Sequence, residues 1–281
     1  MSSTLEFRDP RKVLAEHGLR PKRGYSQNFL CSRHAVDAIA AAVAKVPSAL
    51  VVELGPGLGT LTAALLAQGL KVLGIERDPD MLAVLERDFA PHGLQLRRDD
   101  AAHVDYAALA AEHGASELCV VGNIPYALTG AILRNLVQSR GVVARALLMV
   151  QREVRDRLQA APGSAEYGAL TVFTSAAFSA STLLKLAPTV FHPPPKVHSA
   201  VVLLERREHP LAEETEAFSR TVRAVFQGRR KTLRNALGSA WPETAVELAL
   251  AACGLDPKLR GENLDPTQFG ALAAALERAA P

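Results

Sequence analysis

Two short stretches of this chain place residue types in an order suited to chemistry. "VVELGPGLGTLT" (51–62) sets Gly55, Gly57 and Gly59 between an apolar run and a helix-forming one. Glycine lets the backbone pass close to a ligand, and the N-terminus of the following helix offers unpaired N–H groups. "GNIPYALTG" (122–130) follows directly on the apolar "ELCVV" (117–121). Gly, Asn and Pro turn a chain on their own. At the end of a strand, however, the Asn123 side-chain oxygen and the Ile124 backbone carbonyl also suit an aromatic amine. Two acceptors holding its two hydrogens would draw the nitrogen toward a tetrahedral shape and free its lone pair for attack. Pro125 stiffens the turn, and the Tyr126 ring can stack on a flat partner.

These residues need a frame. Short apolar runs predict strands at "ALVVEL" (49–54), "KVLGIER" (71–77), "LQLRRDD" (94–100), "ELCVVG" (117–122) and "RALLMV" (145–150). Between them lie helical patterns: "SRHAVDAIAAAVAKV" (32–46) with Ser32 as N-cap, "TLTAALLAQG" closing on Gly69, "DPDMLAVLERDF" (78–89) capped by Asp78, and "ALTGAILRNLVQ" (127–138). A long helix then leads to two strand-like runs, "TLLKLA" (182–187) and "SAVVLLER" (199–206), on either side of the proline-stiffened "PTVFHPPPKVH". Alternating strands and helices imply a parallel sheet covered on both faces. Past residue 208 the pattern is helical only. The expected division is a basic arm over 1–31, a Rossmann-like domain over 32–208 and a small helical domain over 209–281.

In such a sheet, ligands bind beyond the carboxyl ends of the strands, where the strand order reverses. Glu76 ends the second strand and is placed to accept from a ribose diol. Asp100 ends the third and is placed to accept from an adenine amino group. The glycines form G-x-G-x-G with Glu53 two residues ahead, not the G-x-G-x-x-G of dinucleotide sites. A carboxylate there would repel a pyrophosphate, yet it suits the ammonium and sulfonium charges of S-adenosylmethionine. An NAD-dependent oxidoreductase is the competing reading, resting on the glycine turn and Glu76 alone.

Composition adds a partner. Of 281 residues, 48% are hydrophobic and only 5% aromatic, as in a helix-rich globular chain. Lys and Arg total 32 against 29 acids, a mild excess that is unevenly spread. The first 23 residues hold Arg8, Arg11, Lys12, Arg20, Lys22 and Arg23; residues 220–234 hold Arg220, Arg223, Arg229, Arg230, Lys231 and Arg234. Two basic clusters on a near-neutral chain point to a polyanion. The three cysteines and eight histidines lack zinc-ligand spacing, so no metal is expected. No run is long enough to span a bilayer and no signal segment is visible, so a cytoplasmic protein is expected.

"GNIPY" resembles the N-x-P-Y motif of amino-group methyltransferases. Together with "SQNFL" (26–30), "VELGPGLGTLT", "FHPPPKVHSAVV" (191–202) and "GRRKTLRNAL" (228–237), it makes the chain resemble the ribosomal RNA adenine dimethyltransferase family, nearest its bacterial KsgA/RsmA type. The resemblance runs from about residue 20 to the end, with the motifs in the family's order. Departures are Ser26 where the family usually has Gly, Ala127 where Asn is common, and a somewhat extended N-terminal arm.

The resemblance implies a class I S-adenosylmethionine-dependent methyltransferase sheet with a small all-helical C-terminal domain. It also implies N6-dimethylation of two adjacent adenines in a hairpin loop near the 3′ end of small-subunit (16S) rRNA. The substrate would be an assembling 30S particle late in its biogenesis, and the enzyme a monomer. By motif, Asn28, Leu30, Gly55, Gly57, Glu76, Asp100 and Asn123 would contact S-adenosylmethionine. Asn123, Ile124 and Tyr126 would hold the target adenine, with Phe191 on its other face. Arg229, Arg230, Lys231 and Arg234, on a basic helix, would meet RNA phosphates, as would Lys22 and Arg23 of the arm. Alternatives within reach are a large-subunit rRNA methylase of the macrolide-resistance type and an RNA-binding assembly checkpoint.

Overall fold

The computed structural model of the chain describes residues 5–25, 27–45 and 50–280, with the Arg23 side chain outside the described residues. Ser26 and Ala49 also lie outside them. The expected strands form: β1 (Leu50–Leu54), β2 (Val72–Glu76), β3 (Gln95–Arg98), β4 (Leu118–Asn123), β5 (Val143–Gln151), β6 (Phe178–Leu186) and β7 (Ser199–Arg206). They make one sheet in the order β3-β2-β1-β4-β5-β7-β6. Strands β3, β2, β1, β4 and β5 run parallel, and β7 is antiparallel to β5. The central strands β1 and β2 are buried at every residue, as their unbroken apolar runs require. The edge strand β3 is partly exposed and carries Arg97 and Arg98.

The helices begin where side chains can satisfy free N–H groups. After a short α1 (Pro10–Glu16), α2 (Arg33–Val43) starts at Ser32, whose hydroxyl accepts from the Ala35 N–H. The helix α3 (Thr60–Ala67) starts from Gly59, held at φ 76°. Asp78 caps α4 (Pro79–Phe89). Then come α5 (Tyr106–Glu112), behind Asp105, and α6 (Thr129–Gln138).

The chain forms two compact units. One comprises Met1–Arg155 with Ser181–Glu205, the other Asp156–Ala180 with Arg206–Pro281. The sequence placed the whole of 32–208 in one domain; residues 156–180 instead belong to the second unit. Their long helix is two helices, α7 (Arg152–Leu158) and α8 (Ala169–Ala177), because Pro162 and Gly163 interrupt it. In that unit the Tyr167 hydroxyl donates to the Leu264 carbonyl at 2.7 Å. Tyr167, Phe173, Phe218 and Phe269 share one core there.

Helices α9 (Glu216–Gln227), α10 (Leu233–Leu237), α11 (Glu243–Ala252) and α12 (Pro266–Ala279) complete the second unit. The basic stretch 228–232 is therefore a turn between α9 and α10 and not a helix, closed by the Lys231 N–H on the Gly228 carbonyl at 2.7 Å. Within the expected arm, the described residues form a helix and a short strand. Asp9 caps α1, which buries Val13 and Leu14, and Phe29–Leu30 pairs antiparallel with Phe191–His192.

A methyl group on Gly59 would overlap the Phe89 ring, at a φ that L-residues avoid. Gly59→Ala is expected to lower unfolding stability by about 2–4 kcal/mol, combining left-handed strain with overpacking, as read by urea denaturation.

Candidate active site

A cavity of about 260 Å³ lies at the carboxyl ends of the central strands. The register that builds it sets Leu54 of β1 opposite Gly122 of β4. A Cβ on Gly122 would overlap the Leu54 carbonyl oxygen, so glycine is what lets β4 deliver Asn123 next to the turn that follows β1. In that turn Gly55 and Gly57 have φ of 64° and 58°, and the Gly55 N–H donates to the Ile75 carbonyl at 2.9 Å.

Carboxylates dominate the cofactor end. Glu76 is 8% exposed. Its Oε2 accepts from the Gly57 N–H at 3.1 Å, and its Oε1 accepts from the Arg77 and Asp78 N–H groups at 2.8 and 2.9 Å. Burial pushes its pKa up, and the three N–H groups pull it back. Glu53 is 2% exposed, and its Oε2 accepts from the Thr62 hydroxyl at 2.7 Å. Burial pushes its pKa up to about 7, moderated by Thr62 and reinforced by Glu76. A buried carboxyl group with a neutral donor, on the wall of a cavity, suits a cationic guest. This donor set fits the ammonium and sulfonium of S-adenosylmethionine and opposes a pyrophosphate.

The acceptor end is fixed by one hydrogen bond. Asn123 Nδ2 donates to the Asn28 backbone carbonyl at 2.6 Å. That sets the amide's orientation and leaves Oδ1 as its acceptor. Tyr126 shares a hydrogen bond with the Ser199 hydroxyl at 2.9 Å, so the ring is held from its far edge.

Most of the expected residues meet here. Asn28, Leu30, Gly55, Gly57 and Glu76 line the cavity, and so do Asn123, Ile124 and Tyr126. Asp99 and Asp100 both reach it. Asp100 accepts from the Ala102 N–H at 3.0 Å and pairs with Arg77 at 3.2 Å.

Others are placed differently. Phe191 is buried at 5%, opposite Leu30 in the antiparallel pair, and does not line the cavity. It packs with Leu30 in the core of the first unit. Lys22 is spent on Asp78 and Asp80, at 2.6 and 2.7 Å, which takes it from the phosphate-binding set. The side chain of its neighbour Arg23 lies outside the described residues.

In the second unit Arg229 binds Glu262 at 2.8 Å and donates to the Ala165 carbonyl at 2.7 Å. Arg234 bridges Glu243 and Glu247, each at 2.7 Å. Arg230 and Lys231 are exposed.

Sequence reasoning passed over Gln27, and it read Asp78 only as a helix cap. Their signal was position alone: Gln27 immediately precedes Asn28, and Asp78 lies two residues beyond Glu76. No helix among the described residues is long and apolar enough to cross a membrane.

A family model described as "Ribosomal RNA adenine dimethylase" matches residues 18–277. The ribosomal RNA small subunit methyltransferase A of Myxococcus xanthus is 45% identical, across 95% of each chain. The Geobacillus thermodenitrificans protein of that name is 36% identical, across 95% of this chain and 94% of that one. Among solved structures, the 23S rRNA methyltransferase ErmE is 28% identical with a TM-score of 0.64, covering 89% of this chain and all of that one. A dimethyladenosine transferase from Plasmodium falciparum shares the fold, with a TM-score of 0.75 at 23% identity, over 89% of this chain and 98% of that one.

Glu53 makes stability depend on pH. Below about 4.5 its carboxyl is protonated in folded and unfolded chains alike; as pH rises from there to about 7, only the unfolded chain releases the proton. Folding stability therefore falls across that window, by about 3 kcal/mol from this group. Glu53→Gln should remove that part of the decline, visible as a difference between variant and wild type in unfolding free energy at pH 4.5 and pH 7.5.

Proposed function

Because the chain belongs to the ribosomal RNA adenine dimethylase family, we propose that it dimethylates the N6 amino groups of two adjacent adenines in the 3′-terminal hairpin loop of small-subunit rRNA, using S-adenosylmethionine. The observation that carries the reading is the amide of Asn123, fixed by the Asn28 carbonyl beside a cavity walled by Glu53 and Glu76. S-adenosylmethionine supplies an electrophilic methyl group from a sulfonium that departs as a neutral thioether. When it is bound, Glu53 would complement its positive charge, Glu76 would accept from its ribose, and Asp100 would serve its adenine.

The chain's own part is to present the nucleophile. Asn123 Oδ1 and the Ile124 carbonyl accept the two hydrogens of the target amine, and Tyr126, anchored by Ser199, stacks on the base. No strong base is needed, because the methylated nitrogen sheds its extra proton to water after transfer. Two rounds at each amine give dimethylation; in the second, the methylamino nitrogen has one N–H left and engages only one of the two acceptors.

The likeness to ErmE supports large-subunit rRNA as a second reading. The higher identity to the Myxococcus xanthus small-subunit enzyme, over nearly the whole of both chains, favours the first. We place the reaction on an assembling 30S particle in the cytoplasm, late in subunit biogenesis, with the enzyme acting as a monomer. Docking falls to the exposed Arg230 and Lys231, since Arg229 and Arg234 have carboxylate partners of their own. A checkpoint role in assembly would rest on the same docking.

Undermethylated small subunits incubated with labelled S-adenosylmethionine should gain label in adenine. Asn123→Ala is expected to abolish incorporation while the thermal midpoint stays near that of wild type; full activity in this variant would overturn the assignment of the amine acceptors. Tyr126→Ala should reduce transfer by roughly 1–3 kcal/mol of lost stacking. Replacing Arg230 and Lys231 together by Ala should flatten the dependence of log affinity on log salt by about one to two units, measured by filter binding.

A further inference from the structure

Asp78 makes more bonds than a helix cap requires. Its carboxylate is wholly buried. One oxygen accepts from the Asp80 N–H at 3.0 Å, which is the cap itself. The other bonds reach back some fifty residues in sequence: Lys22 Nζ donates at 2.6 Å and Gln27 Nε2 at 2.8 Å. The Asp78 N–H meanwhile donates to Glu76 Oε1 at 2.9 Å. Gln27 is held at both ends of its amide, because its Oε1 accepts from the Lys22 N–H at 2.8 Å.

Asn28 follows Gln27 in the chain. On its other side Phe29 is buried, with its ring against Gly57, where an added Cβ would sit 3.1 Å from it. The peptide of Asn28 is thus clamped between an ionic anchor and an apolar one. Its carbonyl accepts from Asn123 Nδ2 at 2.6 Å. A primary amide turns end for end at little intrinsic cost, so only a partner fixes which end faces the ligand. If the Asn28 carbonyl shifts, Nδ2 can turn toward the cavity, where it would meet the N–H groups of an incoming amine, donor against donor.

We propose that Gln27 and Asp78 are positioning residues for methyl transfer: through Gln27, the Asp78 carboxylate fixes the Asn28 carbonyl and hence the acceptor orientation of Asn123, while its backbone N–H fixes the carboxylate of Glu76. One buried node thereby sets both the cofactor end and the amine end of the cavity. The inference rests on the reading of Asn123 as an amine acceptor. It adds a requirement of its own: the polarity of the Gln27–Asp78 bond matters, because Gln27 must accept from Lys22 and donate to Asp78 at once.

That requirement gives the test. The single-turnover rate is measured at saturating S-adenosylmethionine and saturating small subunits, for wild type, Gln27→Ala, Gln27→Glu, Asp78→Asn and the double variant Gln27→Glu/Asp78→Asn, with Asn123→Ala alongside. Gln27→Ala should slow transfer about tenfold or more at saturation, since a small misplacement of a reacting group is enough for that. A purely structural contact would change the thermal midpoint or the binding constants and leave the saturated rate alone.

Gln27→Glu sets carboxylate against carboxylate, and Asp78→Asn sets donor against donor; each should be comparably slow. The double variant restores one donor facing one acceptor and keeps an acceptor for the Lys22 N–H. It should recover to within about threefold of wild type. If Gln27→Ala transfers at the wild-type rate at saturation while Asn123→Ala is dead, the positioning role is overturned. If Gln27→Ala folds poorly, the double variant decides: a rate no better than that of either single variant overturns the proposal. Should Asn123→Ala retain full activity, the fault lies with the amine-acceptor reading itself.

Discussion

The site depends on the parallel pairing of Leu50–Leu54 with Leu118–Asn123. Register puts Leu54 beside Gly122, so the glycine turn and the Asn-Ile-Pro-Tyr turn leave the sheet at the same edge and in the same direction. Antiparallel pairing would have sent them to opposite ends. The strands can close to this distance only because residue 122 lacks a side chain. One register and one missing Cβ therefore bring the glycine turn, Asn123 and Ile124 to one cavity. All later chemistry takes place between groups whose distance the backbone has already set.

The electrostatics of that cavity make sense only for a cationic guest. Glu53, Glu76 and Asp78 lie within a few residues of the strand ends, all nearly or wholly buried. Lys22 answers Asp78, and backbone N–H groups answer Glu76. Burial pushes the Glu53 pKa up to about 7, and the Thr62 hydroxyl offsets that only in part. Leaving a carboxylate in that state costs folding stability, and a sulfonium with an ammonium returns it on binding. Such a site discriminates among guests by charge as well as by shape.

The sequence showed what local pattern determines. Unbroken apolar runs gave the strands, glycine spacing gave the turn, and the order of motifs gave the family. What it hid was whatever depends on distant pairing. Phe191 reads as a stacking ring, and the antiparallel match with Leu30 sets it in the core. Lys22 reads as a phosphate ligand until the fold sets it on Asp78 and Asp80. The sequence reads as one long helix where Pro162 and Gly163 separate α7 from α8, and the transfer of 156–180 to the second unit follows from contacts with residues nearly a hundred positions away. The missing helix at 228–232 has a local reason, the Gly228 turn.

The same distinction explains why residues that never touch the reacting atoms deserve equal weight here. A reaction with no general base and no covalent intermediate has few ways to be accelerated: bring the nitrogen near, shape its lone pair, and exclude the wrong orientation. Each is a matter of where acceptors point. Asn123 has the right oxygen for the task, but its chemistry is symmetric to within an amide flip. The asymmetry comes from the Asn28 carbonyl, whose place is set by Phe29 on one side and by Gln27 on the other. On the reading proposed above, catalytic capacity resides as much in the N-terminal segment as in the turn after β4.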